Sequence, residues 1–332
     1  MGPVIIRHSL YENAVAACSA ALARARPGAL VWLIGPSGVG KSEVRYEVMR
    51  RVSGSPIGWG VGRIPAIAVR AARTDRNKFN PKDLAMRLAH GLREPDFSWL
   101  TARSEVSSPD VAHLHAEVRL AGNRWALIRA STTEHSLRNE FEQHAKLRSL
   151  KWVFIEEVHS LLSVHARQAA SNYMTSLMQM AEEAGLVLVL IGTHEAENLW
   201  LNNEEVRNRS NWVWFRRYKS GQQDMRLFAP LVKALGRRYP LTVRDLLIKH
   251  LDLVMLNCAG LIGTLERYLD RCDLIRQEHG ALEITIKHLE AASRKKSELE
   301  QLWDTVHAFD RLSEDPVGRE DLMDYVNRPR AR

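Results

Sequence analysis

The chain has 332 residues, of which 45% are hydrophobic and 26% are charged, and its net charge at neutral pH is +8. This composition is typical of a globular protein with a full core. It contains no apolar run long enough for a membrane span and no secretory leader, so we expect a cytoplasmic protein that does not bind a membrane. Three scattered cysteines show neither metal nor disulfide spacing, and we expect them to be reduced: Cys18, Cys258 and Cys272.

Apolar strands and helices alternate along the chain up to about residue 223. Continuous apolar runs predict strands at 29–35, 64–70, 152–155, 186–196 and 211–218. Apolar positions at helical spacing predict helices at 9–26, 42–52, 81–92, 132–148 and 166–184. Asn80 and Pro81 are typical of a helix start, and Ser131 with Glu134 fits a capping box. Strands that are apolar throughout indicate a parallel sheet with helices on both faces.

From residue 224 onwards the pattern is helical only. Helices are predicted at 224–238, 242–256, 260–276 and 284–310, and a polar tail follows. We therefore predict an α/β protein with three layers (α-β-α) and a mainly parallel sheet in residues 1–223. A smaller all-α lid follows in residues 224–276, and a C-terminal helix with a polar tail occupies residues 277–332.

A glycine-rich loop directly follows the first predicted strand. Its sequence, GPSGVGKS, fits the phosphate-binding pattern GxxxxGKS/T at every fixed position. Glycines allow the backbone N–H groups to approach a phosphate, and the helix that follows points its N-terminus at the anion. The lysine is expected to reach the β- and γ-phosphates of ATP, and the last serine to bind Mg²⁺. The predicted nucleotide-binding residues are Gly35, Pro36, Ser37, Gly38, Val39, Gly40, Lys41 and Ser42.

Two carboxylates end the third predicted strand, in the sequence WVFIEE. Phosphate-loop ATPases need acidic groups at this place, usually Asp followed by Glu. Here Glu156 takes the first position, and its longer side chain is expected to hold a metal-bound water. Glu157 is predicted to act as the general base that deprotonates the attacking water. The alternative is a pair of solvated acids at a strand end.

Two further positions are predicted to contribute to catalysis. Thr193 ends the fourth strand and is expected to contact the γ-phosphate or its water. Arg209 precedes the fifth strand and is predicted to enter the ATP site of a neighbouring subunit, where it would stabilise transition-state charge. Arg207 is the second candidate for this role, and an ordinary surface salt bridge is the alternative for either arginine.

Together these segments resemble the AAA+ ATPases, and in particular the transposition regulators of the TnsC and TniB group. The resemblance covers about residues 10–275 and is carried by GPSGVGKS, EEVHSLL, LVLIGTHEA, RNRSNWVWFRRY and AGLIGTLERYL. The last three segments carry the narrower resemblance. It implies the AAA+ strand order with a helical lid after the sheet. It also implies a nucleotide contact from the lid, for which Arg267 is the candidate, although Glu266 is placed to occupy the same face.

The same resemblance implies ATP-dependent self-assembly into a ring or a helical filament around duplex DNA. It further implies that the protein links a target-selection protein to a transposase without cutting DNA itself. Glu156 departs from the usual Asp of this family, and the handling of Mg²⁺ and the rate of hydrolysis are the properties that this departure affects.

A basic loop, residues 69–81, follows the second strand and is the candidate contact to DNA. Its cations include Arg73, Arg76 and Lys78. Such a loop, repeated once per subunit, is expected to follow phosphates without reading sequence and to bind in a salt-sensitive way. The alternatives are a solvated charged loop, or DNA contacts from the basic residues of 94–130.

Other functions fit parts of the sequence. A small-molecule kinase shares the phosphate loop, but the Glu-Glu pair and the C-terminal helices disfavour it. A nucleotide-gated signalling scaffold that never contacts DNA is disfavoured only by the positive charge and by the resemblance. A replication initiator or helicase loader of the same superfamily is the nearest alternative.

Overall fold

The computed structural model describes residues 7–73, 78–101, 132–163 and 167–314. Its centre is a sheet of five strands, β1 (Leu30–Ile34), β2 (Ala66–Arg70), β3 (Trp152–Glu156), β4 (Val187–Gly192) and β5 (Ser210–Trp214). The strand order is β2-β3-β4-β1-β5, and all four pairings are parallel. The predicted mainly parallel sheet is therefore confirmed. Because the strands are parallel, the carboxyl ends of β1, β3 and β4 lie side by side at one edge.

Helices surround the sheet up to residue 208. They are α1 (Ser9–Arg24), α2 (Lys41–Ser53), α3 (Pro81–Arg93), the short α4 (Ser98–Thr101), α5 (Glu134–Leu147), α6 (Arg167–Ala184) and α7 (Glu204–Asn208). Helices α1 and α2 pack on each other, while α3, α5 and α6 form a second group. All five residues of β1 are buried, which requires cover on both faces. The two helix groups supply this cover and give the predicted α-β-α layers.

The rest of the described chain is helical. It contains α8 (Gln222–Gly236), α9 (Leu246–Lys249), α10 (Leu251–Cys258), α11 (Ile262–Glu278), α12 (Ile286–Ala291) and α13 (Lys296–Ser313). In the described ranges, no helix has both the length and the apolar character that crossing a bilayer requires. The three cysteines are buried and free.

Two predicted helices are each divided in two. The predicted helix 242–256 begins only at Leu246 and is interrupted at His250. Its late start is explained by a tertiary contact, because the backbone N–H of Thr242 donates to the carbonyl of Ile284 (3.1 Å) beside the bridge between Leu241 and Ile284. The predicted helix 284–310 is interrupted after Ala291, because the side chain of Asn257 binds the backbone of the segment that follows. Its side-chain oxygen accepts from the backbone N–H of Arg294 at 2.8 Å. Neither contact is visible in local periodicity.

Other boundary predictions were also wrong. The fourth strand, predicted at 186–196, ends at Gly192, and a short 3₁₀ helix occupies His194–Leu199. The N-cap of α5 is Thr133, whose hydroxyl accepts from the backbone N–H of Ser136 at 3.1 Å, and the predicted Ser131 lies outside the described residues. The fifth strand ends at Trp214 rather than at residue 218. Its partner β1 stops at Ile34 to enter the phosphate loop, so the backbone beyond Phe215 has no strand to pair with.

Candidate nucleotide site

The glycine-rich loop connects β1 to α2 at the carboxyl edge of the sheet. Gly38 and Gly40 have φ angles of +82° and +108°, which side chains other than glycine rarely adopt. A Cβ atom on Gly35 would lie 2.7 Å from the carbonyl oxygen of Phe215. The 13-residue helix α2 begins directly after the loop, at Lys41, and the N-terminus of a helix attracts anions. This cradle fits a phosphate group.

Lys41 lies at the centre of the loop. Its Nζ atom donates to the carbonyl oxygens of Gly35 at 2.7 Å and of Pro36 at 2.9 Å. Burial lowers the pKa of Lys41 to about 8, while the nearby Glu157 and Glu156 oppose that shift. The ammonium group is therefore still mainly protonated at neutral pH, and phosphate oxygens can replace the two carbonyls as its acceptors.

Apart from Arg209, the predicted catalytic and metal-binding residues lie around one small cavity of about 60 Å³. Its lining comprises Ser37, Lys41, Ser42, Glu156, Glu157, His159 and Thr193, together with the end of β4. The sheet order explains this proximity, because β3 and β4 are neighbours and β1 follows β4. Ser42 and the two carboxylates form the set of oxygen donors that a Mg²⁺ ion prefers.

The two carboxylates have different environments. Glu156 is 22% exposed, and its Oε1 lies 3.1 Å from Nε of the buried Arg45 on α2. Glu157 is 44% exposed and contacts two cationic or titratable groups, with His159 Nε2 at 3.2 Å and Arg70 at 3.7 Å. Burial lowers the pKa of His159 despite its neighbour Glu157. Glu156 is thus held by the phosphate-loop helix, and Glu157 projects into the open part of the site.

Glu157 and Thr193 both carry unusual features. The φ angle of Glu157 is +57°, a left-handed conformation that is uncommon outside glycine and often marks a functional position. Thr193 follows β4, and its buried hydroxyl has no hydrogen-bond partner in the described part of the chain. An unpartnered hydroxyl facing this cavity is available to a ligand oxygen or a water.

A larger cleft of about 350 Å³ continues from the loop to the N-terminal helix and the lid. His8, Tyr11 and Ile262 line it opposite the glycines. His8 lies stacked on the ring of Phe215, with 6.5 Å between centroids, and its Nδ1 contacts the hydroxyl of Tyr218 at 2.9 Å. Burial lowers the pKa of His8 to about 4, so the ring is neutral at physiological pH. A neutral aromatic wall of this kind suits a nucleotide base, and no sequence motif indicated it.

The lid contacts the phosphate loop directly. The backbone N–H of Gly263 donates to the carbonyl of Gly38 at 2.9 Å. Arg267 donates to the hydroxyl of Thr264 at 3.1 Å, and a Cβ atom on Gly38 would lie 3.1 Å from its guanidinium. The candidate Arg267 therefore lies at the loop. Glu266 lines the same cleft and forms an ion pair with Arg238 at 3.2 Å.

Arg209 and Arg207 lie at the other edge of the sheet. Arg209 directly precedes β5, packs beside Gly28 and forms an ion pair with Glu182. Arg207 donates to the carbonyl of Leu201. The five residues of β1 span about 16 Å between this edge and the phosphate loop. Neither arginine can reach the nucleotide site of its own chain.

The basic loop is described only at its ends. Arg73 forms an antiparallel bridge with Phe79, and Lys78 lies next to it, whereas Arg76 lies outside the described residues. The bridge closes the loop beside the carboxyl end of β2. Most of the alternative DNA-binding segment 94–130 also lies outside the described residues.

Comparisons with known proteins agree with this fold. A model of the AAA domain matches residues 25–200, more than half of the 332-residue chain. The fold is similar to the ORC2 protein of Aeropyrum pernix in its ADP form, with 12% identity, a TM-score of 0.53, and coverage of 88% of this chain and 70% of that one. It is also similar to a Walker-type ATPase of Pyrococcus abyssi, with 15% identity, a TM-score of 0.52, and coverage of 95% and 87%. At such identities the likeness concerns the fold alone. Among curated proteins no match was found.

Proposed function

The chain belongs to the AAA domain family, and we propose that it is an ATP-driven switch that assembles into oligomers on duplex DNA. Membership of this family makes it a nucleotide-hydrolysing ATPase at the general level. The more specific part of the proposal is that nucleotide binding and hydrolysis control assembly on DNA. ADP is present in the ORC2 structure, and the cradle of this chain suits the same class of ligand.

We assign the chemical roles from the positions of the side chains. Lys41 and Arg267 contact the phosphates, and Thr193 orients the attacking water with its unpartnered hydroxyl. Glu157 accepts the proton of that water. Ser42 and Glu156 would hold Mg²⁺, which when bound neutralises charge on the β- and γ-phosphates.

The contact between the lid and the loop carries the proposal. Because Gly263 donates to the carbonyl of Gly38, any movement of the loop around a nucleotide changes the position of α11. The N-terminus of α11 also lines the cleft through Ile262. Nucleotide occupancy is therefore linked mechanically to the orientation of the lid, which is the property a switch requires.

Assembly follows from the position of Arg209. This arginine lies far from its own phosphate loop but at a surface that a neighbouring protomer can approach, and its ion pair with Glu182 is partly exposed. A triphosphate in the neighbour competes with Glu182 for the guanidinium. Such a contact makes each ATP part of the interface between two protomers, as in enzymes that receive an arginine in trans.

DNA is the proposed polyanion because the chain has a net charge of +8 and carries the basic loop at Arg73, Arg76 and Lys78. The segments GTHEA and GLIGTLERYL support the narrower role of a transposition regulator, which links a target-selection protein to a transposase. A ring or filament built from residues 1–223, with the lid 224–276 between protomers, fits this role.

Electron microscopy of the protein with duplex DNA tests the proposal. With a non-hydrolysable ATP analogue, the wild-type protein is expected to form rings or filaments on DNA of any sequence, and fewer as salt increases. Lys41→Ala is expected to form none. Exposed Lys296→Ala, far along the chain from the loop, serves as the control. Equal DNA binding with and without nucleotide would contradict the switch and leave only a basic surface.

A further inference from the structure

Arg45 is a buried cation beside the nucleotide site that the proposed chemistry does not use. It lies one helical turn after Lys41 on α2, and its side chain is 9% exposed. Its guanidinium lies over the ring of Tyr46, 4.3 Å from the centroid. Its acidic partner among the described residues is Glu156, at 3.1 Å. A buried guanidinium without a counter-charge is strongly unfavourable, so Glu156 is needed where it stands.

The contact is an ion pair rather than a directed hydrogen bond. Although Nε of Arg45 is 3.1 Å from Oε1 of Glu156, its N–H does not point at that oxygen or at any other acceptor in the described ranges. The carboxylate is therefore attracted but not locked in place. An aspartate at this position would be shorter by one methylene, about 1.5 Å, and would not reach Arg45 from β3 in the same way.

Both carboxylates of the site are thus paired before any ligand binds. Glu156 is paired with Arg45, and Glu157 is flanked by Arg70 and His159. Glu43 and Glu266 add two further carboxylates to the lining of the wider cleft. A divalent cation that binds at the end of β3 has to share Glu156 with Arg45.

We infer that Arg45 is a positioning residue that competes with the divalent cation for Glu156 and thereby weakens the metal affinity of the nucleotide complex. This inference rests on the proposed nucleotide site and explains why Glu replaces the usual Asp. The longer carboxylate of Glu156 pairs with Arg45 when no metal ion is bound and with the divalent cation when one is present. Nucleotide binding then depends little on the metal, while the metal affinity is set by the strength of the Arg45–Glu156 pair.

Metal affinity can be measured without hydrolysis. The full chain is saturated with a non-hydrolysable ATP analogue, and Mn²⁺ is titrated while free Mn²⁺ is followed by electron paramagnetic resonance. Arg45→Met, which keeps the length but removes the charge, is expected to lower the Kd for Mn²⁺ about fivefold. Arg45→Lys keeps the charge and is expected to remain near wild type. Arg50→Met, on the same helix but paired with Glu47, is the matched control.

A Kd that is unchanged or higher in Arg45→Met, or an equal fall in Arg50→Met, would overturn the inference. Repeating the comparison in a Glu156→Gln background separates an effect of Arg45 through Glu156 from a direct effect of Arg45 on the metal ion. There Arg45→Met is expected to lose most of its effect. An equal effect in that background would show that Arg45 acts on the ion directly. Failure of the wild-type protein to bind the analogue would instead contradict the proposed function.

Discussion

Glu157 combines two features that set it apart from other acidic residues near the loop. Its backbone is left-handed, and its carboxylate lies between Arg70 and His159 while remaining nearly half exposed. The cation Arg70 and the imidazole of His159 keep the carboxylate close to the loop, and the exposure leaves room for water. These features suit a residue that accepts a proton only when a nucleotide is in place.

Glu157→Gln is expected to bind ATP with wild-type affinity but to hydrolyse it about a hundredfold more slowly, because the amide cannot accept the proton. Phosphate release and the affinity for a fluorescent ATP analogue measure the two properties separately. Exposed Glu204→Gln, at the start of α7, should leave both unchanged. Wild-type turnover in Glu157→Gln would mean that another group is the base.

Lys41 makes nucleotide affinity depend on pH. Its pKa is lowered to about 8, so the ammonium is charged below that pH and progressively neutral above it. Phosphate prefers the charged form, and affinity is therefore expected to be flat from pH 6.5 to about 7.5 and to fall by at most tenfold per pH unit above 8. Equilibrium binding between pH 6.5 and 9.5 measures this. The Lys41→Ala variant is expected to bind nucleotide weakly, with an affinity that does not fall as the pH rises above 8. The same fall in this variant would mean that another group causes the pH dependence.

Among individual residues, the sequence predicted those site residues that belong to a contiguous motif or that end an apolar strand. Glu156, Glu157 and Thr193 could be found because parallel strands deliver their last residues to one edge. His8 and Arg45 could not be found, since their roles arise from contacts across helices: His8 with Phe215, and Arg45 with Glu156. Their catalytic and ligand-binding roles remain predictions.

At the scale of elements, the connection between α10 and α11 determines how the lid meets the sheet. Gly260 has a φ of +71°, and a Cβ atom there would lie 1.9 Å from the carbonyl oxygen of Tyr218. Its own carbonyl accepts from the backbone N–H of Tyr218 at 3.2 Å. This tight packing fixes the start of α11, and with it the position of Gly263 against the phosphate loop.

Gly260→Ala is therefore expected to destabilise the protein by about 3 kcal/mol, because backbone strain and a clash with Tyr218 add together. Gly280→Ala is the matched control. Its φ is +63°, but no atom lies near its missing side chain, so only about 1 kcal/mol is expected. Urea unfolding of both variants gives the comparison, and equal losses would show that the contact with Tyr218 is not tight.

The order and type of the elements could largely be predicted, whereas several boundaries could not. Period and apolar runs identified all five strands. The late start of the helix predicted at 242–256 depends on a backbone bond to Ile284, and the break inside 284–310 depends on the side chain of Asn257; both partners come from distant parts of the chain. Local propensity carries no information about such partners.

At the scale of the whole molecule, the proposed function requires a second protomer to supply an arginine to the nucleotide site. The phosphate loop, lid and carboxylates lie at one edge of the sheet, and Arg209 lies at the other. This polarity favours head-to-tail assembly, in which the arginine edge of one protomer faces the loop edge of the next. A heterologous contact of this kind repeats into a ring or a filament.

Complementation between two inactive variants tests this central claim most directly. Lys41→Ala lacks a working site but retains Arg209, and Arg209→Ala has the reverse defect, while Arg207→Ala serves as the control and should stay active. We predict that neither of the first two variants hydrolyses ATP alone with DNA present. An equal mixture should regain activity, since roughly a quarter of randomly formed interfaces join an intact site to an intact arginine. Wild-type turnover by Arg209→Ala alone, or a mixture that stays inactive, would contradict an ATP shared between protomers.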